Sequence, residues 1–378
     1  MLRSLFVAVS VACLAACATV PDPVAATPPW RDTAFGWQPA LVTVSREDLF
    51  RLDPELLAQV LNPMPNDLSP SQKLTHLLNV VFGRDQRRFT YAAGHSTVAT
   101  ETWRNQRGDC LSLTVLTYAV ARAMNLPAQM QEVESPTLFD RRDGYDFVNR
   151  HVNVLFQRAQ WELYRESKPH HVVVDFEPDY ASAKPGKLLE ENAIYARFLN
   201  NRAVEHLAHG ERAQAYAHFR AAVAADPSYA ASYANLATLY RQASLTAEAE
   251  QLLQKAVALA RQDDVAVHAL HEMLTEQGRE GEARRYESML QTQRSRDPYY
   301  WIAQGVRALE SGEPRKAIAP LERARDMTGN FREVHALLAL AYARTGDQAR
   351  ADQELATLAG LGVSDRSVAK LRRKFSAD

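Results

Sequence analysis

Three residue types able to carry covalent acyl transfer stand in order within one stretch of this 378-residue chain: Cys110, His151 and Asp175. A thiolate supplies the nucleophile, an imidazole moves the proton, and a carboxylate fixes the imidazole tautomer. Cys110 sits in Gly108-Asp109-Cys110-Leu111-Ser112-Leu113, at the opening of an apolar-periodic run. That location is a helix start, where unpaired N–H groups and the partial positive charge of the terminus favour a thiolate. The backbone N–H of Cys110 and a second donor, Gln106 or Trp103, would meet the oxyanion of a tetrahedral intermediate. Glu177 or Asp179 could serve in place of Asp175. The competing structural readings are a cysteine acting as a small buried apolar residue and a histidine bonded to a neighbouring strand. A metal site would draw on His95, His170 and His171, but adjacent histidines on a strand point to opposite faces. No metal and no cofactor is therefore expected.

The elements that must position these residues are legible around them. Two helical segments are expected between Ser45 and Phe82, the second capped by Ser69 with Pro70 in its first turn. A helix over Ser112 to Met124 ends at Asn125-Leu126-Pro127, since proline cannot continue it. Three apolar runs with strand character follow, Ala128 to Val133, Val152 to Phe156 and Val172 to Phe176, so that His151 opens one strand and Asp175 lies in another. One helix followed by several antiparallel strands is an α+β pattern, assigned to residues 46–185.

Upstream, Met1-Leu2-Arg3, the apolar run Leu5 to Ala12 and Leu14-Ala15-Ala16-Cys17 have the layout of an export signal over residues 1–16. Leu-Ala-Ala-Cys resembles the lipobox of bacterial lipoproteins, which implies lipidation of Cys17. Ala18 is not the aspartate associated with inner-membrane retention, so the resemblance implies an outer-membrane anchor facing the periplasm. Several acyl chains together hold a protein on a bilayer. Residues 17–45, rich in Ala, Thr, Pro and Val, read as a flexible tether. Lys plus Arg is 44 against Asp plus Glu 45, a balance that gives no electrostatic ground for a nucleic-acid partner.

From Ala196 the composition shifts to Ala, Leu, Arg, Glu and Gln, and frames beginning at 196, 230, 264, 298 and 332 recur. Each holds Ala at its twentieth position (Ala215, Ala249, Ala283, Ala317, Ala351) and Gly or Ser at its fifteenth (Gly210, Ser244, Gly278, Gly312, Gly346). Position twenty-four is Phe219, Leu253, Leu321 and Leu355, with Glu287 departing in the third frame. This pattern resembles the tetratricopeptide repeat, with five units over 194–363 and a capping helix over 364–378. Such arrays present a concave groove lined by first-helix positions 2, 5, 6, 9, 12 and 13, fit for a peptide or protein partner. A spacer role is the alternative. Of the Lys and Asn that some members use to hold a C-terminal carboxylate, only Asn235 is present, beside Ala231 and Ala269, so that activity is not expected.

The first block resembles the transglutaminase-like superfamily in three motifs. They are Ala99-Thr100-Glu101-Thr102-Trp103 with Arg107-Gly108-Asp109-Cys110, then Asn149-Arg150-His151-Val152-Asn153-Val154, then Val174-Asp175-Phe176-Glu177-Pro178. The resemblance implies a papain-like α+β fold with Cys110, His151 and Asp175 as catalytic residues. It departs after the histidine, where Val152-Asn153 replaces the aromatic residue often found there, and nothing resembles a calcium loop. The whole then reads as a transglutaminase-like α+β domain followed by an all-α tetratricopeptide superhelix. The function implied is thiol attack on an amide of a protein or peptide substrate, with hydrolysis favoured over crosslinking. A protein partner in the repeat groove and membrane contact through the lipid anchor alone complete the expectation. An inactive scaffold and a small-molecule acyltransferase are the alternatives.

Overall fold

A computed structural model describes residues 27–62, 68–83, 89–92, 94–134, 138–142, 145–149, 151–157, 171–176, 184–260, 264–296, 298–328 and 331–361. The expected signal peptide, Cys17, Trp161, Tyr164, His170, Glu177, Asp179 and the expected capping helix lie outside these residues. No helix among the described residues is long and apolar enough to cross a membrane.

The chain begins with α1 (Asp32–Phe35), a short 3-10 turn (Pro39–Leu41), α2 (Arg46–Leu49), α3 (Pro54–Leu61) and α4 (Pro70–Phe82). Two helices precede α4 after Ser45 where one was expected, because Ser45 and Asp53 each cap a separate turn. At Ser69 the capping box is complete, the hydroxyl accepting from the Gln72 N–H while the Gln72 side chain accepts from the Ser69 N–H. Then come β1 (Thr90–Tyr91), α5 (Ala99–Asn105), β2 (Arg107–Gly108) and α6 (Cys110–Ala123). Helix α6 starts two residues earlier than its apolar period suggests, because Asp109 is an N-cap whose carboxylate accepts from the Ser112 N–H.

Strands β3 (Ala128–Glu134), β4 (Leu138–Arg142), β5 (Tyr145–Asn149), β6 (Val152–Gln157), β7 (His171–Val174) and β8 (Lys184–Leu189) follow. Four of them form an antiparallel sheet in the order β7-β6-β3-β8, and β4 and β5 pair as a separate hairpin. Met130, Val152, Val154 and Phe156 join Leu111, Val115 and Leu116 of α6 in one apolar core. The expectation that Asp175 lies within a strand is corrected: β7 ends at Val174 and Asp175 is the next residue.

The rest is helical: α7 (Glu191–Ala208), α8 (Arg212–Ala225), α9 (Ala230–Gln242), α10 (Thr246–Leu259), α11 (Asp264–Glu276), α12 (Glu280–Arg296), α13 (Pro298–Glu310), α14 (Pro314–Thr328), α15 (Arg332–Arg344) and α16 (Gln348–Gly360). These are five helix pairs in the expected register. Between the partners of each pair, Gly210, Ser244, Gly278, Gly312 and Gly346 all adopt positive φ, the left-handed conformation that ends the first helix. The alanines at position twenty are buried throughout, as close helix contact requires. Glu287 is exposed, and the apolar core of the first three repeats is separate from that of the last two.

Part of the expected tether is not free. Trp30, Phe35 and Trp37 pack on the repeat core, with Phe35 stacked 4.7 Å from the Tyr216 ring and 5.4 Å from that of Tyr240. Arg31 pairs with Glu248, and the Arg220 guanidinium, 3.1 Å from Asp32, lies over the Trp37 ring. Linker-like composition concealed three aromatic residues whose burial outweighs the entropy of ordering the strap.

Helix α7 joins the two parts. Ile194, Phe198 and Leu199 belong to the α+β core, and Ala203, Val204 and Leu207 to the repeat core. Truncating Phe198, 2% exposed, to alanine is expected to cost about 3–5 kcal/mol. Denaturant unfolding should show the sheet and the first repeats lost together; a sheet that melts alone would contradict the shared helix.

Candidate active site

The His151–Asp175 pair follows from strand register. Val154 lies opposite Val174, so extending the antiparallel ladder by one pair sets Asn153 opposite Asp175 and His151 on the diagonal. Residues 151 and 153 are two apart and so share a side of the strand line. Both reach the same carboxylate: His151 Nε2 is 2.7 Å from Asp175 Oδ1, and Asn153 Nδ2 donates to Oδ2 at 2.8 Å. The side chains of His151 and Asp175 are 0% and 5% exposed, so the carboxylate, removed from water, depends on these two partners. With the Asp175 carboxylate as acceptor, Nε2 is the donor in this pair, and the other ring nitrogen, Nδ1, is also buried. Gln131, buried and directly opposite Asn153, continues this polar row into β3.

Cys110 is the first residue of α6 and is 4% exposed. One turn further, Thr114 donates to the Val152 carbonyl at 3.1 Å, tying the start of α6 to the residue after His151. The rise from Cys110 to Thr114 is about 6 Å. Upstream, β1 and β2 pair in parallel through Tyr91 and Gly108, fixing the approach to Cys110. Any side chain at position 108 would collide with Ser112, since a Cβ there would lie 2.7 Å from the Ser112 Cβ.

Asp109 is wholly buried, and its carboxyl is pushed up from the ordinary carboxylate range by desolvation, against the opposing pull of hydrogen bonds from Ser112 and Ser96. Ser112 donates to Oδ1 through its N–H at 2.8 Å and its hydroxyl at 2.6 Å, and Ser96 donates to Oδ2 at 2.5 Å. The two oxyanion candidates, Trp103 and Gln106, line one recess of about 530 Å³ with Asp53, Pro54, Glu55 and Arg104. Gln106 is left-handed (φ 50°) because it ends α5, the same reason that Asn125 has φ 50° after α6.

The structure therefore brings together His151 and Asp175 and sets Cys110 one turn from the His151 strand. His95 faces elsewhere, its Nδ1 3.3 Å from Glu205. Among the described residues no group of three His, Cys, Asp or Glu side chains is placed to hold a metal ion. Sequence reasoning treated Asn153 only as a departure from a motif. The strand period, with His151 and Asn153 two apart, was the signal that would have paired them. Asp109 and Ser112 are a local cap three residues apart, whereas Ser96 left no such signal, because its meeting with Asp109 is tertiary.

The groove of the first repeats is also taken up from within. Arg197 at groove position 2 pairs with Glu132 of β3, Asn201 at position 6 donates to Ser96, and β5 lies along α9 and α11. Asn235 donates to Asn200 across the two repeats at 3.1 Å. A concave groove fit for a peptide or protein partner was the expectation; the chain's own sheet domain covers its N-terminal end.

Residues 206–274 match the tetratricopeptide repeat family model. No curated protein sequence matches the chain. Solved structures similar to it include a MamA protein (17% identity, covering 44% of this chain and 91% of that one, TM-score 0.25). A second is YrrB, described as a TPR protein with an unusual peptide-binding site (17%, 47% and 92%, TM-score 0.25). A third is Pseudomonas aeruginosa pilF (19%, 50% and 86%, TM-score 0.28). The C-terminal part is thus an all-α repeat array, as its own helix pairs establish.

Asn153 and Asp175 should be energetically coupled. A double-mutant cycle with Asn153→Ala and Asp175→Ala is expected to give an interaction of about 1.5–3 kcal/mol, the range for a hydrogen bond to a charged group. Additive effects in urea unfolding would remove Asn153 from the pair.

Proposed function

We propose that the chain is a lipid-anchored envelope protein whose α+β part, transglutaminase-like on a papain-like plan, performs cysteine acyl transfer on an amide, with hydrolysis as the outcome. The observation that carries this reading is the buried His151–Asp175 hydrogen bond of 2.7 Å beside the helix that begins at Cys110. His151 Nδ1 takes the thiol proton, and the sulfur attacks the amide carbon to form a tetrahedral oxyanion facing the Cys110 N–H. Collapse breaks the C–N bond, and the departing amine leaves with the proton from Nδ1. Water then adds to the thioester, gives a proton to Nδ1 and releases the acid, restoring the thiol. Asp175 holds Nε2–H throughout, and Asn153 holds Asp175.

The repeat array serves protein or peptide recruitment in this reading. With the first groove positions occupied by the sheet domain, the half-buried apolar residues Val306, Ala336, Leu337 and Leu340 of α13 and α15 are what a partner would meet. Cys17 anchors the chain at the periplasmic face of the outer membrane. The burial of Cys110 favours a second reading, a closed and inactive module that organises an envelope complex.

Alkylation separates the two. In the first, iodoacetamide labels Cys110 at neutral pH at least tenfold faster than a free cysteine, and His151→Ala removes the advantage; labelling indifferent to His151 would leave only the inactive module. Separately, Cys17→Ser is expected to abolish palmitate labelling in cells and to release the chain from the membrane fraction. Retention in that fraction with labelling intact would overturn the anchor.

A further inference from the structure

Residues 95–97 form a bridge between the first repeat and the start of the Cys110 helix. On the repeat side, Glu205 of α7 accepts the Ser96 N–H at 2.9 Å, and Asn201 of α7 donates its amide N–H to the Ser96 hydroxyl at 2.9 Å. On the other side, the Ser96 hydroxyl donates to Asp109 at 2.5 Å, and the Thr97 N–H donates to the Ser112 hydroxyl at 2.9 Å. Ser96 has one hydroxyl proton. By occupying its acceptor side, Asn201 directs that proton to the Asp109 carboxylate. Asp109 is in turn the N-cap that orients the first turn of α6, and Cys110 is its next residue.

We infer that Asn201, a residue of the repeat array, is a positioning residue for Cys110, acting through Ser96 and Asp109. The inference rests on the acyl-transfer reading of Cys110. It assigns the repeats a part in the reaction besides recruitment: the active centre is complete only when α7 is docked. Without the Asn201 amide the Ser96 hydroxyl is released to turn away, and the buried Asp109 carboxylate loses a donor. The cap that Asp109 makes on the first turn of α6 is then loosened, and with it the N–H groups of the helix terminus that favour a thiolate at Cys110. The charged or titratable groups gathered at this joint among the described residues are Asp109, Glu205, His95 and Arg202, the last donating to Glu205 at 2.6 Å. His151, the proposed base, stands just before β6, which Thr114 ties to α6.

The test is the pH profile of Cys110 alkylation by iodoacetamide in the full chain, for wild type, Asn201→Leu and Ser96→Ala. His335→Leu is the control, since it breaks a buried pair with Glu354 in the last repeat, away from Ser96. The expected result is a neutral-pH rate at least fivefold lower in Asn201→Leu and Ser96→Ala, with the midpoint moved to higher pH, and an unchanged profile in His335→Leu at comparable loss of thermal stability. Should Asn201→Leu not fold, Ser96→Ala, the smaller change, decides. A wild-type profile in the folded variants would overturn the inference while leaving the acyl-transfer reading intact. A wild-type chain whose alkylation ignores His151 would overturn that reading first, and the inference with it.

Discussion

Everything else in this chain depends on one helix lying in two cores. Helix α7 gives Ile194, Phe198 and Leu199 to the sheet domain and Ala203, Val204 and Leu207 to the repeat stack. A helix that buries two faces against different partners fixes their relative orientation, because its side chains cannot slide in one core without opening cavities in the other. The polar residues on α7 exploit that rigidity. Arg197 lies against the Tyr229 ring and pairs with Glu132, and Asn201 and Glu205 hold the segment before α5. Long-range hydrogen bonds of this kind need their ends placed to within tenths of an ångström, and only packing on both sides of α7 supplies that.

The electrostatics of the candidate site follow from burial. Asp175 and Asp109 are both inside the domain, and each is held by two partners, one per carboxylate oxygen. Asp175 faces an imidazole and an amide; Asp109 faces two serines and a backbone N–H. The difference matters. An imidazole can take up a second proton beside Asp175 and remain paired, so that carboxylate supports a changing charge. Serines beside Asp109 can only orient it, which suits a cap whose task is to keep the first turn of α6 in place. On the acyl-transfer reading, Asp175 would serve proton handling and Asp109 positioning.

The sequence disclosed what depends on period and cap, and concealed what depends on side chains that meet across the fold. The repeat register was readable to the residue, because a left-handed turn at position fifteen admits few residue types and helix contact at position twenty admits alanine. Helix α4 was equally plain from Ser69-Pro70-Ser71. The start of α6 was read two residues late, since an N-cap aspartate competes with the apolar pattern that follows it. Cys110, His151 and Asp175 were found by type and order, and the His151–Asp175 contact is geometry the order alone did not contain. Asn153, Ser96 and Asn201 were missed. Only the cross-strand register reveals the first, and only the docking of α7 reveals the other two.

The ordered strap bears on where the molecule stands. Trp30, Phe35 and Trp37 hold the N-terminal segment against α8, α9 and α10, and hydrogen bonds between Tyr216 and Asp32 (2.8 Å) and from Tyr240 to the Pro29 carbonyl (2.9 Å) pin its course. With Cys17 as the anchor, as proposed, thirteen residue steps lead from Cys17 to Trp30. Fully extended they span about 45 Å. A tether running to residue 45 would allow roughly twice that reach; on the anchored reading, a strap that begins near residue 29 would keep the first two repeats within the shorter radius. The sheet domain is docked on the groove side of the same repeats. On the anchored reading the strap would tie the repeats to the membrane, while α7 joins the domain of the cysteine helix to those repeats.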